Sequence, residues 1–152
     1  MVCEPVRIRV ITLVCGILLF ITIGVPAVSQ AQTNRWIQPG DGAWQDPANW
    51  FLSLAPANTQ TLVITNGVSK TITIDSTTSG SFPNTLTVSG VILSAPNGAT
   101  NILDLSNAGT NAPLSVPNNF IISSGGMLRL TGSGLWMESN TDAALTNAAF
   151  AV

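Results

Sequence analysis

A chain of 152 residues carrying five Lys and Arg against seven Asp and Glu, net −2 at pH 7, has no basic patch for nucleic acid or anionic lipid. It contains no His and no Tyr, and its two cysteines, Cys3 and Cys15, lie near the N-terminus, so the usual proton-transfer, metal-binding and nucleophilic side chains are nearly absent. The length allows one ordinary domain rather than two.

Residues 1–31 read as an export signal. Arg7 and Arg9 precede the apolar run Val10 to Val25, and Pro26 leads into Ala27-Val28-Ser29-Gln30-Ala31, a small-residue stretch that a signal peptidase can cut. The mature chain is therefore expected to begin near Gln32, secreted from or displayed on a bacterial cell, touching membrane only through the transient leader. The alternatives are a retained anchor or acylation of Cys15. The apolar run falls short of the roughly 20 residues that span a bilayer, and Val14 is not the small residue that should precede a lipidated cysteine. Cleavage after Ala31 leaves 121 residues with Arg35, Lys70 and Arg129 against Asp41, Asp46, Asp75, Asp104, Glu138 and Asp142, a net charge of 3 − 6 = −3. No cysteine remains to form a disulfide, so stability must come from packing and hydrogen bonds.

Residues 32–60 hold three of the four tryptophans, Trp36, Trp44 and Trp50, among the turn pairs Asp41-Gly42 and Asp46-Pro47, and show no apolar alternation. This segment reads as an N-terminal cap whose aromatics cover the open end of a stacked core.

From Thr61 the chain changes to short alternating strands. Leu62 and Ile64, Ile72 and Ile74, Leu86 and Val88, Val91 and Leu93, Leu103 and Leu105, Leu114 and Val116, Phe120 and Ile122, and Leu128 and Leu130 each form an apolar pair two residues apart. Each strand then turns one apolar face inward. Asn66-Gly67, Asp75 to Gly80, Ser89-Gly90, Pro96-Asn97-Gly98, Asn107-Ala108-Gly109, Pro117-Asn118-Asn119, Ser123 to Gly126 and Gly132-Ser133-Gly134 separate them as corners, with nothing helical expected between. Short strands with Asn and Gly spread through the corners favour a right-handed parallel β-helix, about 20–25 residues per coil and four coils over residues 61–152; an antiparallel β-sandwich or jelly roll is the alternative. The Ala-rich tail from Thr141 to Val152 reads as a short helix capped by Thr141 or Asp142, or as the next coil, of a protein continuing beyond this piece.

Gly42-Ala43-Trp44-Gln45-Asp46-Pro47-Ala48-Asn49-Trp50, with Pro56 and strand-turn units such as Leu86-Thr87-Val88-Ser89-Gly90, resembles the N-terminal region of bacterial exported surface proteins with autotransporter-associated β-strand repeats, often of the PEP-CTERM type. The resemblance spans most of residues 32–152 and implies a β-helical adhesin or passenger-like architecture at the cell surface. Neither a C-terminal sorting signal nor a membrane barrel is present in the sequence.

Trp36, Trp44 and Trp50 have two readings: buried cap, or exposed indole platform for surface glycans. Trp136, between Leu135 and Met137, reads as core or coil edge. Asp75, Asp104, Arg129 and Lys70 are the groups a polysaccharide hydrolase or lyase would have to recruit. Asp75 closes a strand while Asp104 and Arg129 alternate outward, so solvated faces account for them. Asp41, Asp46 and Asp142 lack the spacing of a calcium loop. The sequence thus reads as a structural or adhesive segment, not an enzyme, with no metal, no cofactor and no catalytic residue. Its expected partners are surface glycans or further copies of the same chain. A carbohydrate-binding module and the N-terminal fragment of a polysaccharide-degrading β-helix enzyme are the alternatives.

Overall fold

The computed structural model describes residues 31–138, 142–146 and 149–151. The expected leader lies outside these residues apart from Ala31.

The chain is rich in strand: β1 (Gln32–Arg35), β2 (Gly42–Ala43), β3 (Gln60–Ile64), β4 (Lys70–Ile74), β5 (Gly90–Leu93), β6 (Asn101–Val116), β7 (Asn119–Ile122), β8 (Gly126–Met137), β9 (Asp142–Leu145) and β10 (Ala149–Ala151). The odd strands form one sheet in the order β1-β3-β5-β7-β9, and the even strands another in the order β2-β4-β6-β8-β10. Every ladder between named strands is parallel. Parallel neighbours need a connection that brings the chain back to the same end, and here that return runs through the opposite sheet. Each pass of the chain adds one strand to each sheet. The antiparallel sandwich is not what forms: among the described residues the one antiparallel pairing is an isolated bridge between Trp36 and Trp50.

Register converts the apolar pairs into columns. Leu62, Val91 and Phe120 are successive partners in the odd sheet, as are Ile64, Leu93 and Ile122; in the even sheet Ile72, Leu103 and Leu128 are successive partners, as are Ile74, Leu105 and Leu130. Parallel partners lie about 4.8 Å apart, so like side chains pack on like. All of these are buried except Leu130, which is half-buried against the core.

The passes are longer than 20–25 residues at first and shorten later. Side-chain bonds between neighbouring passes span 30 residues from Asp41 to Thr71, 31 from Ser69 to Thr100, 29 from Ser89 to Asn118 and 25 from Asp104 to Arg129. Residues 32–60, read as the Trp-rich N-terminal cap, supply β1 and β2, which form one edge of each sheet among the described residues. The tail supplies β9 and β10 rather than a helix, with Asp142 facing Asn119 at the start of β9.

Two local departures from the expected corners have physical causes. Residues 76–81 form a short helix, α1 (Ser76–Ser81), because the Asp75 carboxylate accepts from the Thr77 and Thr78 amides at 2.9 and 3.0 Å while Thr78 Oγ1 accepts from the Asp75 amide at 3.2 Å. This reciprocal cap satisfies the first-turn donors of a helix without apolar periodicity. Leu86 and Val88 point inward as expected, yet Leu86 ends a 3-10 turn (Pro83–Leu86) and Thr87 makes a single parallel bridge to Ser115.

The second departure is at the corner 107–109, which is absorbed into β6. Asn107 (φ 55) and Gly109 (φ 82) turn the strand without ending it. Gly132 (φ 56) stacks beneath in β8, where an added Cβ would lie 2.9 Å from Asn107 Oδ1. Both the positive φ and the close approach favour glycine there. Past this corner β6 and β8 pair again, Leu114 with Leu135, Ser115 with Trp136 and Val116 with Met137, so a short third ladder runs Thr87, Ser115, Trp136.

Candidate functional site

The first pass gathers the tryptophans. The Trp36 amide donates to the Val63 carbonyl at 2.9 Å and the Trp44 amide to Thr73 at 3.0 Å, so both extend the ladders one residue beyond β1 and β2. Asp46 accepts from the Ala48 amide at 2.9 Å and caps the 3-10 turn Pro47–Asn49, which delivers Trp50 beneath the other two rings. Trp36 and Trp50 meet edge to face at 5.1 Å and 86°, and Trp44 and Trp50 at 5.5 Å and 88°, the arrangement the indole quadrupole favours. Gly42 leaves room for this packing, since a Cβ there would fall 2.7 Å from Asn49 Nδ2 and 3.0 Å from the Trp36 ring.

Trp44 Nε1 donates to the Thr85 carbonyl and Trp50 Nε1 to the Trp44 carbonyl, both at 2.8 Å. Trp36 Nε1 is buried without a partner, a cost of about 1–3 kcal/mol that the packing must exceed. Asn34, also fully buried, donates to the Leu54 carbonyl and to Gln60 Oε1 and accepts from the Leu52 amide, holding the 52–54 loop against β1.

Exposure of Trp36, Trp44 and Trp50 is 2%, 0% and 0%. Stacking on a sugar needs a free ring face, so the glycan platform considered for these residues is replaced by a core wedge. Trp136, read from the sequence as core or coil edge, is 48% exposed, which rules out the core.

The charged candidates are dispersed into structural roles. Asp75 caps α1. Asp41 accepts from the Thr71 amide at 2.6 Å, tying the first pass to β4. Asp104 and Arg129 are register partners and pair bidentately, Arg129 Nε to Oδ1 at 2.9 Å and an Nη to Oδ2 at 2.7 Å. The hydrogen bond and charge of Asp104 raise the Arg129 pKa, and the guanidinium lies over a carboxylate that is mostly covered rather than freely solvated. Lys70 is also buried rather than on a solvated face. Its Nζ donates to the Val68 carbonyl, and desolvation lowers its pKa while the charge of Asp41 opposes the shift. Below it in register sits Asn101, whose Nδ2 donates to the Asn66 and Ser94 carbonyls and whose Oδ1 is buried without a partner.

The described residues include two surface crevices. One, of about 330 Å³, is lined by Arg35, Trp36, Ile37, Val63, Thr65 and Asn66. The other, of about 370 Å³, is lined by Ala57, Asn58, Pro83, Asn84 and Thr87 and adjoins the third ladder. Neither lining contains a carboxylate, and among the described residues no group of three or more Cys, Asp or Glu is placed to hold a metal ion. The two linings offer backbone and side-chain amides and hydroxyls, and Trp136 adds one exposed indole. No protein-family model, no curated protein and no solved structure matches the chain.

Proposed function

We propose that residues 32–152 are part of a right-handed parallel β-helix exported to the bacterial surface, with a structural or adhesive role and no catalytic site of its own. The observation that carries this reading is the strict alternation of the chain between two parallel sheets, each pass stacked in register on the last. A chain that only advances along one axis, with parallel returns that are right-handed almost without exception, builds a rod whose sides repeat. Such a rod is suited to presenting a surface at a distance. The bacterial placement rests on the signal-like leader and on the likeness of the Trp44 to Trp50 segment to exported proteins with autotransporter-associated repeats.

Expression with the native leader in a diderm bacterium, followed by fractionation and intact-mass analysis, tests the placement. The expected product starts near Gln32 and is found outside the inner membrane. A product retaining residues 1–25 in the inner membrane overturns export in favour of an anchored form.

A further inference from the structure

We propose that the third ladder is a binding face for an uncharged polysaccharide strand, with Trp136 as its stacking platform. This rests on the adhesive reading above and names its ligand class. Leu86, Val88, Leu114 and Val116 are buried at 3%, 0%, 1% and 0%. By strand alternation the residues between them, Thr87 and Ser115, project outward, and Trp136, the register partner of Ser115, projects with them. Two hydroxyls and an indole therefore line up along the stacking axis, spanning two strand spacings, roughly 10 Å, the scale of a short oligosaccharide.

The chemistry of the strip selects the occupant. At the Thr87 end it opens into the crevice of about 370 Å³, where Asn58 and Asn84 add amide donors and acceptors. None of Thr87, Ser115, Trp136, Asn58 and Asn84 is ionisable; the nearest charge in sequence is Glu138, two residues past the indole. An anionic lipid or acidic glycan would find no cation here. A protein partner would want a contiguous apolar core within a polar rim, whereas along this strip only Trp136, with Met137 next to it, is a large exposed apolar side chain; a protein partner would show as Trp136-dependent binding to no polysaccharide. A neutral pyranose chain has what the strip complements, an apolar C–H face for the indole and hydroxyls for the amides. Of the four tryptophans only Trp136 is exposed, at 48%.

The test is retention of the expressed chain on insoluble cellulose, chitin, β-1,3-glucan and mannan, with alginate and polygalacturonate as acidic comparators, alongside acrylamide quenching of tryptophan emission. Retention on at least one neutral polymer is expected, with soluble oligomers of that polymer shielding the quenchable fraction. Trp136→Ala should weaken binding roughly two- to tenfold, the worth of one aromatic stack. Trp136→Phe should restore part of it and melt close to the parent; Trp136→Ala also loses the buried half of the ring, so its binding is measured at a temperature where melting shows it fully folded. Retention on no neutral polymer, stronger retention on the acidic ones, or binding that survives Trp136→Ala each overturns the proposal. These readouts are independent of export: a chain that binds β-glucan through Trp136 but stays in the inner membrane defeats the surface placement and leaves the binding face standing.

Discussion

The first pass, residues 32–60, and the passes that follow it build the same two sheets from opposite materials. Later passes fill most inward positions with Leu, Ile and Val, with Phe120 in β7 and the buried polar residues Gln60, Lys70 and Asn101 at strand starts. β1 is Gln-Thr-Asn-Arg, and its inward residue is Asn34, buried at 0%; the space that aliphatic columns occupy elsewhere is taken by Trp36, Trp44 and Trp50. Among the described residues a middle pass pairs on both sides and the first on one, and there the inward positions pack against β3 and β4 while the rings close the core sideways. Large rings do this with few residues. The strands there are short, β2 having two residues against five in β4, and a short edge offers little to other chains.

The comparison predicts that the largest single loss comes from the wedge. Trp44→Ala should lower unfolding stability by about 3–5 kcal/mol, because the indole is fully buried, meets Trp50 edge to face and donates to Thr85 forty-one residues away. Urea denaturation at fixed pH measures it. A loss below about 1 kcal/mol would mean that the first pass is dispensable and that the later columns hold the fold alone.

Next come the columns themselves. Leu103, fully buried between Ile72 and Leu128, should cost about 2–5 kcal/mol on truncation to Ala; Leu130, half-buried, about 1–2 kcal/mol. Equal losses would indicate that the later passes are covered as fully as the middle ones.

How much of this was legible follows from the range of each signal. The inward pairs were readable because alternation is local, and the corners because Asn and Gly act within two or three residues. The first pass hid its strands because an inward Asn defeats any apolar count. The third ladder was invisible because it depends on Thr87, Ser115 and Trp136 sharing a register set by corners far apart in sequence, and this left the exposure of Trp136 unread. The pairing of Asp104 with Arg129, 25 residues apart, was hidden for the same reason. Helix α1 was readable in principle from Asp75 followed by Thr78, but six residues of Ser, Thr and Gly carry no periodicity.

A smaller effect is expected at that helix. Asp75→Ala removes an acceptor from two amides and should cost about 0.5–2 kcal/mol, with Asp75→Asn recovering part of it. Because Thr78 Oγ1 also donates to Gln45 Oε1 at 2.8 Å, α1 fastens a later pass onto the first. Amides of residues 43–46 should then exchange faster with solvent in Asp75→Ala; unchanged exchange there would confine the cap to its own turn.

The smallest effect concerns pH, and it is unusually isolated. Lys70 is the only lysine in the sequence, there is no His or Tyr, and both cysteines fall within the leader, so above the α-amino range no other side chain of residues 32–152 titrates below the arginines. Burial lowers the Lys70 pKa and Asp41 only partly offsets this, so between the folded value and the unfolded value of about 10.4 the unfolded chain holds more protons than the folded one. Stability must therefore rise with pH through that interval. Urea midpoints of the leader-free chain measured from pH 9 to 10.5 should increase for the parent and stay level for Lys70→Met. A midpoint that falls with pH in the parent would mean that attraction to Asp41 outweighs desolvation, making this corner an ion pair that secures the first pass to the second rather than a buried amine both passes tolerate.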